Sequence, residues 1–94
     1  MASCRDIKKD INFLANQMMT EGFSFLNYSP VSNVENVLDI LHDVEQTRLN
    51  LIYKVNHPPQ NGIDLKDYYR TVIHEMYQQN LDLLERLNSL SQQE

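Results

Sequence analysis

Apolar residues return along this chain at alternating spacings of three and four, over three stretches set apart by glycine and proline. That period places them on one stripe of an α-helix. In the first stretch the stripe is Cys4, Ile7, Ile11, Leu14 and Met18, and Gly22 and Phe25 continue it. In the second it is Val34, Val37, Leu41, Val44, Leu51 and Val55, widened by Leu38 and Ile52. The third carries Leu65, Tyr69, Val72, Met76, Leu83, Leu87 and Leu90. No run shows the period-two alternation of a half-buried strand.

The ends of the stretches carry helix signals. Ser3 with Asp6 is a variant capping box, and Ser32 with Glu35 is a full one directly after Pro30. Asp64 is placed to cap the third helix, with Asp67 in its first turn and Ile63 and Tyr68 spaced as a hydrophobic staple. Pro30 and Pro58 stop the first and second helices, and Pro58-Pro59-Gln60-Asn61-Gly62 is a turn. Gly22 is the one doubtful position, since a glycine inside a helix costs about 1 kcal/mol relative to alanine. We expect packing to override it and the first helix to run on to about Asn27; the alternative is a break at Gly22. The pattern therefore predicts helices over 3–27, 32–57 and 64–91, each roughly 40 Å long at 1.5 Å per residue. Short connections between elements of similar length favour antiparallel neighbours. The expected fold is all-α, an antiparallel three-helix bundle forming a single domain over residues 1–94.

Charge narrows the partners. The net charge is −5, and the eight Lys and Arg residues are scattered rather than gathered into a stripe. Nucleic acids and acidic membrane surfaces both need clustered cations, so neither is an expected partner. No apolar run approaches the roughly 20 residues that span a bilayer. A lone Cys4 rules out an intrachain disulfide, and charges at Arg5, Asp6, Lys8, Lys9 and Asp10 leave no apolar signal-peptide core. The expected compartment is the cytoplasm.

Candidate chemistry is sparse. Arg48 falls in the middle of the second apolar stripe, and Glu45 at its edge. They read as an ion pair at the rim of the core, with the arginine stem on apolar neighbours. A register-fixing pair at a subunit interface and an anion site completed by the Tyr69 hydroxyl are the other readings. Gln79 and Asn80 interrupt the third stripe in the same way, and buried amides of this kind find hydrogen-bond partners. His42, His74 and Glu75 do not project together with inward carboxylates, so no metal and no cofactor is expected. The paired Glu-x-x-Glu motifs of all-α nucleotide pyrophosphohydrolases are absent, as are the Lys and Gly offsets of histidine phosphotransfer bundles. An enzyme is not expected.

Apolar residues outside the main stripes are more informative. Ile73, Tyr77 and Leu84 lie about 90° round the third helix from its stripe, with Leu81 further out. Phe13, Met19, Phe23, Ile40, Leu49 and Tyr53 are further extras on the other two helices. The excess is greatest on the third helix, which predicts another helical partner there: a second copy, as a homodimer, or another helical protein. The segments Phe25-Leu26-Asn27-Tyr28-Ser29-Pro30 and Ile52-Tyr53-Lys54-Val55-Asn56-His57-Pro58, followed by a tyrosine-bearing third helix, resemble a group of small uncharacterised helical proteins of Bacteroidetes-type bacteria. The resemblance spans nearly the whole chain, implies no activity and points to a cytoplasmic bacterial protein. The expected function is that of a non-enzymatic helical interaction module, self-associating through helix 3 by Ile73, Tyr77, Leu81 and Leu84. The rival is a small-ligand or anion-binding bundle around Glu45, Arg48 and Tyr69.

Overall fold

The computed structural model describes residues 4–28, 31–60 and 64–91. It contains three helices, α1 (Cys4–Tyr28), α2 (Val31–Asn56) and α3 (Leu65–Ser91). Each packs on the other two, α1 most extensively on α2 and least on α3. Asn12 of α1 meets Arg48 of α2, and Gly22 meets Leu41, so α1 and α2 are antiparallel. Lys54 and Asp43 of α2 pair with Glu75 and Arg86 of α3, which makes α3 antiparallel to α2 as well. It follows that α1 and α3 run in the same direction. The bundle measures 51 × 18 × 18 Å.

Helix α1 passes through Gly22 without a break, and the reason lies across the interface. A Cβ built on Gly22 would fall 2.3 Å from Leu41 Cδ2 and 3.1 Å from its Cγ. The absent side chain is therefore the space in which Leu41 packs, and burial there offsets the weak helical propensity of glycine. At the start of α3, Asp64 Oδ1 accepts from the Lys66 backbone N–H at 2.9 Å, an N-cap that satisfies one of the helix's orphan donors. The capping role expected of Ser3 and the staple partner Ile63 lie outside the described residues, as does the Ser32 side chain. Helix α2 begins at Val31, one residue ahead of the predicted start.

The core falls into two lobes. One gathers Ala15 and Met18 of α1, Val37, Ile40, Leu41 and Val44 of α2, and Leu83, Leu87 and Leu90 of α3. The other gathers Ile7, Ile11, Leu51, Val55, Val72 and Met76. Between them, at one level of the bundle, stand Arg48 of α2 and Gln79 and Asn80 of α3. The register set by Lys54 with Glu75 and Asp43 with Arg86 puts the two interruptions of the heptad pattern at about the same height along the bundle. Gln79 Nε2 donates to Glu75 Oε1 at 2.9 Å and Asn80 Nδ2 to the Met76 carbonyl at 2.8 Å, so both amides are satisfied.

Four core expectations need correcting. Ile40, expected outside the stripe, is buried, whereas Leu38, expected inside, is half exposed. One helical turn separates Ile40 from Val44, so the two share a face, and Ile40 packs with Leu83, Leu87 and Leu90 of α3 in the larger lobe. Leu38 stands about 120° from Val44 on the wheel. Cys4 and Leu65 are exposed as well, each being the first residue of its helix, where no further turn covers it.

Candidate functional site

Glu45 and Arg48 form the ion pair that their spacing suggests. Arg48 Nε donates to Glu45 Oε2 at 3.0 Å and Nη2 donates to Oε1, while Nη1 reaches Asn12 Oδ1 of α1 at 3.3 Å. This two-pronged geometry suits a planar guanidinium and a carboxylate. Hydrogen bonding and charge from Arg48 hold the Glu45 carboxyl below its ordinary range, and Glu45 raises Arg48 in turn. The pair is not buried, however: the two side chains keep 30% and 40% of their surface. A pair this open is worth under about 1 kcal/mol. Arg48→Met is accordingly expected to lower the unfolding free energy measured in urea by no more than that, and Glu45→Gln likewise. A loss of about 3 kcal/mol in either would mark a desolvated pair instead.

Tyr69 does not join them. Its hydroxyl donates to the Val55 carbonyl at 3.1 Å, and Tyr68 beside it donates to the Lys54 carbonyl at 2.8 Å. Val55 lies about two helical turns, roughly 10 Å, beyond Arg48. The anion site expected around Glu45, Arg48 and Tyr69 is therefore not assembled, because Glu45 already occupies the guanidinium and Tyr69 is committed elsewhere. What the two tyrosines make is a cap. The last turn of α2 leaves backbone carbonyls without helical partners, and these hydroxyls take two of them. A third, Tyr53 O, lies 2.9 Å from His57 Nδ1, and the His57 ring stacks on Tyr53 at 4.0 Å. The sequence reading missed this role, whose signal was two adjacent tyrosines in the first turn after a proline loop. The Tyr69 hydroxyl is pushed up to about 12 by hydrogen bonding to Cys4, by partial burial, and by the charges Cys4 and Tyr68 can carry.

The weak packing of α1 on α3 leaves a groove between them of about 720 Å³. Tyr77, Leu81 and Leu84 form its α3 wall, and Phe13, Leu14 and Gln17 stand on the α1 side. Phe13 is 59% exposed, Tyr77 58%, Leu81 50% and Leu84 37%. Three of the four interface residues expected on α3 thus share one open apolar surface. The fourth, Ile73, does not: it is half-buried against the smaller core lobe. Phe13 of α1 lines the groove with the other three. Further exposed apolar side chains, Phe23 of α1 and Leu38 and Leu49 of α2, lie outside this groove.

A second, polar groove between α2 and α3 is lined by Asp39, Asp82, Glu85 and Arg86. Among the described residues no three His, Cys, Asp or Glu side chains are grouped as a metal site, and no helix is long and apolar enough to cross a membrane. Compared with protein-family models, curated proteins and solved structures, the chain matches none of them.

Proposed function

We propose that this protein is a non-enzymatic helical interaction module that self-associates through α3 and the groove α3 shares with α1. The observation that carries this reading is the apolar surface of Phe13, Tyr77, Leu81 and Leu84, four large side chains left between about a third and three-fifths exposed. Burying one large apolar side chain completely is worth roughly 1.5 to 3 kcal/mol. Against a total stability of about 5 to 15 kcal/mol, four partly exposed ones are a considerable unused gain. A small bundle also has little core of its own, and association is a common supplement. We assign the module to the cytoplasm of a bacterium, in keeping with its single cysteine and with the resemblance noted above. The rival anion-binding reading has no supporting geometry at Arg48.

Sedimentation equilibrium at micromolar concentration tests the reading. The expected mass is twice the 11.1 kDa of the chain, falling to the single-chain value in Tyr77→Glu with Leu84→Glu, which forces charge into the apolar surface. A wild-type monomer, or a dimer indifferent to the double change, would remove it.

A further inference from the structure

The α1–α3 groove has unlike ends. Because the two helices run in the same direction along it, Phe13 and Tyr77 lie at one end, Glu21 and Leu84 at the other, and Gln17 and Leu81 between them. Of the residues lining it only Glu21 is charged, in a chain of which 22% is charged. Depletion of charge around aromatic side chains is the composition of an interface core. Among the described residues neither Tyr77 nor Glu21 has a polar partner within the chain. The groove therefore holds an unmatched hydroxyl donor at one end and an unmatched carboxylate acceptor at the other.

Building on the self-association above, we propose that the second copy lies over this groove in the opposite direction, related by a two-fold axis near the middle of the groove. This arrangement seats the Phe13 and Tyr77 end of each copy on the Glu21 and Leu84 end of the other. The Tyr77 hydroxyl donates to the Glu21 carboxylate of the second copy, twice by symmetry, and the aromatic rings cover Leu84 and the Glu21 stem. A same-direction pairing would set Glu21 against Glu21 with no cation in the groove to offset them. In the opposite-direction pairing the two carboxylates are displaced by about eight residues, roughly 12 Å, which is more than the ~8 Å screening length at physiological salt. Two chains of net charge −5 repel each other elsewhere, so a nearly uncharged face is where they can approach. The lined stretch, residues 13–21 of α1 and 77–84 of α3, is about 12 Å long, so two helices each about 10 Å wide bury about 240 Å² per copy within the groove itself. A total of about 500 Å² there belongs to a weak, transient dimer.

Cysteine cross-linking in a Cys4→Ser background reads the direction. Leu81→Cys, next to the axis, is expected to form a disulfide with itself under mild oxidation. Tyr77→Cys is expected not to, yet to cross-link when mixed with Leu84→Cys. Tyr77→Phe should weaken the dimer about tenfold or more by sedimentation, and should have no further effect once Glu21→Ala, which leaves no acceptor, is present. Self-cross-linking of Tyr77→Cys, or no disulfide in any pairing while the wild type sediments as a dimer, overturns the proposed direction and leaves self-association standing. A wild-type monomer overturns both and turns the groove over to another protein.

Discussion

Leu41→Ala is expected to lower the stability of the bundle by about 2 to 5 kcal/mol, and Gly22→Ala is expected to return part of that loss when the two are combined. Leu41 is 6% exposed and lies in the larger core lobe, and its side chain fills the space above Gly22. Truncating it leaves a cavity that the surrounding helices close only in part. Gly22→Ala alone puts a methyl group into an occupied site. The strain of overpacking, about 1 to 3 kcal/mol, outweighs the gain of about 1 kcal/mol in helix propensity, so the single change is destabilising. With Leu41 cut back to alanine the clash is gone, the propensity gain remains, and the new methyl fills part of the void. The sign of the Gly22 effect therefore reverses between the two backgrounds. Denaturant midpoints for the wild type, both single variants and the double variant measure this directly. Additive effects would mean that α1 and α2 do not meet at Gly22 as described.

Stability is also expected to fall between pH 10 and pH 12 through Tyr69. Its hydroxyl ionises near 10 in the unfolded chain and near 12 in the folded one, chiefly because it is hydrogen-bonded to Cys4. A group that binds its proton more tightly when folded contributes its full stabilisation below the unfolded value, and loses it as pH rises through the folded one. Ionisation also removes the donor that caps the Val55 carbonyl. The difference in stability between wild type and Tyr69→Phe should be constant below pH 10 and should shrink across the window up to pH 12. Cys4→Ala, which removes that partner, should narrow the window by lowering its upper edge. A wild-type to Tyr69→Phe difference that stays flat from pH 9 to 12 would exclude Tyr69 as the titrating group.

The helices were legible because period and punctuation agree: the stripe through Ile11 and Met18, the stop at Pro58, and the Asp64 cap all point to the same boundaries. What a single helix cannot reveal is which flank of its stripe a neighbour covers. Ile40 and Leu38 stand on opposite flanks of α2 and were exchanged for that reason. Ile73, expected on the open side of α3, is half-buried for the same reason, while Phe13, expected outside the stripe of α1, is exposed. The pairing of Glu45 with Arg48 was readable from a spacing of three on one helix. The reach of Tyr69 to Val55 was not, because it depends on how far α3 slides along α2, and this is decided by tertiary packing across the whole interface.

The polar level that parts the core governs how damage travels along the bundle. Buried residues of the Leu51 lobe and of the Leu87 lobe belong to separate packed groups, and Arg48, Gln79 and Asn80 stand between them with polar partners of their own. A void opened on one side takes no packing partner from the other side. The separation gives this elongated molecule two packed groups whose local opening free energies need not be equal.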